Sequence, residues 1–158
     1  MNRPVNLHAT AIAVGGRGIL LRGASRSGKS ALALSTLRRA ELLGLDAALV
    51  SDDQVFIEIV DGCVEAIGPA SIQGLIEIAG VGIVPEPAIA RVRIDLVVDL
   101  LEPEAVPRMP EETTVAIVGV ALRRIVLPAR QAAYGADVLH SLVLARRTLP
   151  LDFSLGNT

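Results

Sequence analysis

A chain of 158 residues has room for one hydrophobic core and little beyond it, which points to a single domain over residues 1–158 and excludes a second large one. Hydrophobic residues make up 51% of the sequence and aromatics only 2%, so the core must be built from Val, Ile, Leu and Ala, as in strands covered by helices, and the class expected is α/β. A net charge of −2 supplies no overall positive field for a phosphodiester backbone and argues against nucleic acid as the main partner.

Asn6 to Val14 reads as a strand, residues 15–18 (Gly-Gly-Arg-Gly) as a turn and Ile19 to Arg22 as a second strand, a hairpin leading into a glycine-rich segment. That segment opens a helix over residues 29–43, where Ala31, Leu32, Leu34, Leu37, Ala40 and Leu43 recur near a 3.6 period and Gly44 stands where a helix would stop. Ala47 to Val50 is a short apolar run that reads as a buried strand and ends in Ser51-Asp52-Asp53. Val55 to Val60 and Cys63 to Ile67 flank Asp61-Gly62, the pair expected in a tight antiparallel reversal. Residues 72–84 combine glycines with one acid, Glu77, in apolar surroundings, and a carboxylate there needs a reason. Residues 85–90 read as a loop and Arg93 to Leu101 as a strand interrupted by Asp95 and Asp99. A Pro- and Glu-rich loop over 102–113 carries Arg108. It is followed by strands at Thr114 to Val118 and Leu122 to Leu127, a helix from Gln131 to Arg147 and a polar tail.

Cys63 stands alone, which excludes an internal disulfide and a cysteine metal cluster and agrees with a reducing cytoplasm. The N-terminus lacks the charged-then-apolar pattern of a leader, and no stretch reaches the roughly 18 apolar residues of a membrane span, so a membrane partner is not expected. Arg123-Arg124 and Arg146-Arg147 read as solvated edges or oligomer contacts.

Residues 23–30 carry the chemistry. Gly23, Ala24, Ser25, Arg26, Ser27, Gly28, Lys29 and Ser30 match the phosphate-loop pattern, with β-residues before it and an amphipathic helix after it. The glycines let the main chain wrap a phosphate, helix amides and dipole favour the anion, Lys29 neutralises β- and γ-oxygens, and Ser30 offers a hydroxyl to Mg²⁺. The ligand expected is a nucleoside triphosphate with Mg²⁺. Asp52 and Asp53 follow the next strand, where parallel topology brings strand ends beside the phosphate loop. One is expected as a base and the other as a metal or lysine partner, the plain alternative being an acidic turn. Glu77 is a candidate Mg²⁺ ligand or a member of a structural ion pair. Arg108 is either a loop arginine that steadies transferring phosphoryl charge or a solvated side chain; His8 has a weaker case, and His140 is expected to be structural.

His8-Ala9, the 23–30 loop, Ser51-Asp52-Asp53, the 76–83 segment (Ile-Glu-Ile-Ala-Gly-Val-Gly-Ile) and Leu127-Pro128, taken in that order, resemble the C-terminal kinase domain of HPr kinase/phosphorylase over roughly residues 5–145. The resemblance implies a P-loop-containing kinase domain similar to phosphoenolpyruvate carboxykinase, a mixed central sheet with β-hairpins and flanking helices. It implies ATP-dependent serine phosphorylation of HPr or a related phosphocarrier, reversible by inorganic phosphate, and a homo-oligomer, usually a hexamer. Carried over, Asp52 takes the substrate proton, and Lys29 and the loop amides hold phosphates. Ser30 and Glu77 engage Mg²⁺ with Asp53 nearby, and His8 and Arg108 contact phosphate at the reacting end. The family arginine between Ile and Gly is Ala79 here, Arg26 replaces a loop glycine, and Arg130 matches a family arginine although the glycines that should follow are Gln131-Ala132-Ala133. The contrasting expectation is a nucleotide-binding sensor that has lost its chemistry.

Overall fold

The computed structural model describes residues 3–148; the polar tail and the side chains of Arg146 and Arg147 lie outside what is described. In chain order it contains β1 (Val5–Leu7), β2 (Thr10–Val14), β3 (Arg17–Gly23), helix α1 (Lys29–Leu42), β4 (Ala47–Ser51), β5 (Val55–Val60) and β6 (Cys63–Ile67). There follow β7 (Leu75–Ile78), β8 (Gly82–Pro85), β9 (Arg91–Leu101), β10 (Thr114–Ile117), β11 (Val120–Pro128) and helix α2 (Ala132–Thr148). The main sheet runs β1-β5-β6-β9-β3-β2-β4, with β11 also paired to β9 and β10 to β11, while β7 and β8 form a separate ribbon. This is the α/β class expected from composition, and the mixed sheet with hairpins and flanking helices that the family resemblance implies.

Strand β9 joins two parts of the sheet. Its first residues pair antiparallel with β6, and its remainder runs parallel to both β3 and β11. Alternation along the buried strands then divides the core into two clusters. Ile19 and Leu21 of β3 join Leu32, Ala33 and Leu37 of α1 and Ala136 and Leu139 of α2, whereas Leu20 between them joins Val55, Ile57, Val64 and Val97 on the other face. Helix α1 stops as its sequence dictates. Leu45 N–H reaches Ala40 C=O at 2.9 Å and Gly44 N–H reaches Glu41 C=O at 3.2 Å, with Gly44 at a φ of 67°. His140 is structural as expected: its Nε2 lies 2.9 Å from the Thr36 carbonyl and links α2 to α1.

Three expectations change in detail. Asn6 to Val14 is two strands and not one, because β1 pairs with β5 while β2 pairs with β3 and β4, and the chain crosses from one ladder to the other at His8-Ala9. The first hairpin turns on Gly15-Gly16 alone, and Arg17 and Gly18 belong to β3. Residues 72–84, left without secondary structure by their pattern, contain the β7–β8 ribbon.

The interrupting acid of β9 has a structural reason. Asp99 accepts hydrogen bonds from Arg22 Nε at 2.8 Å and Nη2 at 2.9 Å, and from Arg124 Nε at 2.5 Å, so one carboxylate bolts together three neighbouring strands. Burial alone would raise its carboxyl, but the hydrogen bonds and charges of Arg22 and Arg124 outweigh it and hold Asp99 below the ordinary carboxylate range. Because the folded value is depressed, this stabilisation is complete above the unfolded pKa and is lost as pH falls through the folded one. With only 13% of the Asp99 side chain exposed, Asp99→Asn strands two arginines without their counter-charge. We expect a cost of about 3 kcal/mol, or roughly 6–12 °C in melting temperature for a domain of this size. Thermal melts across the acid range check it, and the variant should also lose part of the wild type's acid sensitivity.

Candidate functional site

Strands β3, β9 and β11 run parallel, with Gly23 opposite Leu100 and Leu100 opposite Leu127, so the loops that leave their C-terminal ends share one edge of the sheet. β4 is antiparallel to β2, which is antiparallel to β3, so Asp52 emerges at that same edge. This is where open α/β sheets gather ligand-binding loops.

The 23–30 loop is closed by its own side chains. Lys29, only 6% exposed, donates from Nζ to the Gly23 carbonyl at 2.9 Å and the Ala24 carbonyl at 3.1 Å, leaving its third N–H over. A Cβ on Gly23 would fall 2.5 Å from Ser27 Oγ, so the loop closes this tightly only without one. Gly28 begins α1 at a φ of 93° and supplies no side-chain cap. The amides of Gly28, Lys29 and Ser30 therefore have no acceptor among the described residues, and the buried Ser27 hydroxyl likewise has none. Unpaired first-turn amides, the positive end of a helix dipole and an ammonium together suit a phosphate group.

Asp52 is the centre of the polar cluster. Its Oδ1 accepts from Ser30 Oγ at 2.7 Å and Thr10 Oγ1 at 3.0 Å, its Oδ2 accepts from the Glu77 amide at 3.0 Å, and the residue is 6% exposed. Three segments distant in sequence, β2, α1 and β7, thus aim donors at one carboxylate. Asp53 points elsewhere, and strand alternation is not the cause: both acids lie in the bend beyond β4, where Asp53 sits at a φ of 67°, and its Oδ1 lies 3.1 Å from His8 Nδ1 with both side chains more than half exposed.

Of the residues singled out from sequence, the structure brings together Lys29, Ser30 and Asp52, sets the Glu77 backbone against them, and pairs His8 with Asp53. The Glu77 side chain is exposed, and no contact joins Arg108 or Arg26 to this cluster; both are exposed on their loops. Thr10 is the residue the sequence reading missed. Its signal was a single hydroxyl in the apolar run Ala9 to Val14, buried completely and bonded to Asp52.

No three His, Cys, Asp or Glu side chains converge among the described residues. The donors that meet, the Ser30 hydroxyl and the buried Asp52 carboxylate, are hard oxygens, and they fit Mg²⁺, which keeps several waters and takes one or two carboxylates with phosphate oxygens; the Asp53 carboxylate faces His8, and only the backbone of Glu77 joins them. No helix among the described residues is long and apolar enough to cross a membrane.

Comparison with known proteins gives the family and the fold. The family model described as HPr Serine kinase C-terminal domain matches residues 1–149. An HPr kinase/phosphorylase of Bordetella petrii is 32% identical over 144 residues, which cover 84% of this chain and 44% of that protein. One from Clostridium novyi is 35% identical over 83 residues, 52% of this chain and 25% of that protein. The chain thus spans less than half the length of these curated relatives. The solved Hpr(Ser) kinase/phosphatase of Coxiella burnetii shares the fold with a TM-score of 0.73 at 24% identity, over 91% of this chain and 97% of that one.

Proposed function

The chain belongs to the HPr serine kinase C-terminal domain family, and from that premise we propose that it is an ATP- and Mg²⁺-dependent kinase. It transfers the γ-phosphoryl group to a serine hydroxyl of an HPr-like phosphocarrier protein. The observation that carries this reading is the buried Asp52 carboxylate 2.7 Å from the Ser30 hydroxyl, at the mouth of a loop whose lysine and helix amides suit phosphates.

In this reading Gly23 to Ser30 hold the β- and γ-phosphates through backbone amides, with Lys29 neutralising their charge. Ser30, with the exposed Glu77 and Asp53 carboxylates as further candidate ligands, would hold Mg²⁺, which when bound would offset charge on the phosphate oxygens. Asp52 accepts the proton of the serine Oγ–H, the freed oxygen bonds to the γ-phosphorus, and the bond from γ-phosphorus to the bridging β,γ-oxygen breaks to release ADP. His8, fixed by Asp53, and Arg108 on its loop steady the reacting end. The protein works in the cytoplasm as a homo-oligomer, hexameric by family resemblance, which light scattering of the purified chain checks.

Purified protein incubated with γ-labelled ATP, Mg²⁺ and HPr is expected to yield labelled phosphoserine. Tight nucleotide binding without transfer to any phosphocarrier would sink the kinase reading. One observation favours the second reading, a nucleotide-binding sensor: Ala79, where the family resemblance places an arginine, is exposed beside Glu77 and contributes no charge. Ala79→Arg separates the two. A kinase slowed by a missing cation should gain about 10²-fold in label transfer, whereas a sensor should show no change in turnover.

A further inference from the structure

Arg130, where β11 turns into α2, is fastened to the phosphate loop by its backbone. Its N–H donates to the Ser27 carbonyl at 2.9 Å, and its Cα lies 3.4 Å from where a side chain on Gly28 would begin. Its φ of 57° is a conformation that non-glycine residues hold only where surroundings over-determine it, as at ligand clamps. Its guanidinium, however, is engaged elsewhere. Nη1 donates to Glu102 Oε1 at 3.0 Å and Nη2 to Oε2, a two-point pair with the first residue of the 102–113 loop.

Both side chains are more than half exposed, 54% and 56%, so water and salt screen the pair and a more highly charged acceptor displaces the carboxylate. A polyphosphate is such an acceptor, and its oxygens match the guanidinium fork as well as a carboxylate does. An exposed glutamate is ionised near neutral pH, so the competitor carries its charge there, and the Arg130 hydrogen bond and charge lower its carboxyl further. We propose that Arg130 is a further phosphate-contacting residue of this site, and that Glu102 is its resident competitor, giving up the guanidinium when a di- or triphosphate occupies the loop. This rests on the phosphate-binding reading and extends it: nucleotide affinity is set partly by a carboxylate outside the loop, and occupancy frees the 102–113 segment, which carries Arg108, at its first residue.

The test is a double-mutant cycle of Glu102→Gln and Arg130→Gln, with MgATP and inorganic pyrophosphate as separate probes and calorimetric Kd as the readout. Glu102→Gln should tighten both ligands by about fivefold, the worth of one exposed ion pair. Arg130→Gln should weaken both by about tenfold or more, and the double variant should match Arg130→Gln alone. A gain from Glu102→Gln that persists without Arg130 would be a general field effect and would overturn the proposal, as would an unchanged Kd in Glu102→Gln. Wild-type protein binding neither probe would instead sink the phosphate-loop reading itself, so the two failures are distinguishable.

Discussion

Asp52→Asn is expected to lower kcat for serine phosphorylation by about 10³, within the range for loss of a general base, while the Kd for MgATP stays within about threefold of wild type. The choice of Asn follows from the hydrogen bonds. Asp52 accepts two hydroxyls on Oδ1 and a backbone amide on Oδ2. Asn meets all three by placing its carbonyl oxygen toward the Glu77 amide and its NH₂ toward Thr10 and Ser30, whose hydroxyls rotate to accept. The packing survives and only the charge and the basicity go. Asp52→Ala is the poorer test, because it leaves three donors around a buried gap, and each unsatisfied group costs about 1–3 kcal/mol. Thermal melts of the two variants should therefore differ, with Asn near wild type and Ala well below it, while both lose label transfer. Undiminished transfer in Asp52→Asn would remove Asp52 as the base.

The parts of this site that sequence made legible are those whose chemistry is local. Gly23 to Ser30 announce a phosphate loop because backbone freedom, an ammonium and a hydroxyl must follow one another in a fixed order. The Asp61-Gly62 reversal and the Gly44 stop are local in the same sense, and both stand where expected, with Asp61 and Gly62 at φ of 51° and 76°. Asp52-Asp53 was visible as a pair with divided roles, but the residues by themselves did not say which takes which. Which of the two turns inward depends on Thr10, Ser30 and Glu77 arriving from three other segments. Asp99 was visible only as an interruption, since its arginine partners lie 77 and 25 positions away in sequence. The split between β1 and β2 was hidden for a further reason. Asn6 to Val14 has the composition of one strand, and only the positions of β5, β3 and β4 decide that the chain changes ladder at His8. Contacts of this kind are set by topology, which a single sequence carries only through its pattern of burial.

Lys29→Ala is expected to have the larger effect, lowering kcat/KM by about 10³ to 10⁴ through loss of a buried cation at the transferring phosphates. Two roles are superposed in this residue. Its ammonium closes the loop on the Gly23 and Ala24 carbonyls, and in the proposed reaction it neutralises charge that grows on the β,γ-bridge. The first role predicts a stability loss of about 1–2 kcal/mol, from carbonyls left with weaker partners. The second predicts a loss of rate far beyond any loss of fold. Lys29→Arg separates them, since a guanidinium keeps the charge but is wider and forked and does not reproduce the compact ammonium that closes on the Gly23 and Ala24 carbonyls. If Lys29 acts on phosphate through charge at one defined point, Lys29→Arg should fall nearly as far as Lys29→Ala in kcat/KM. If its main duty is to close the loop, the two variants should track their melting temperatures, and neither should lose rate in excess of the fraction unfolded.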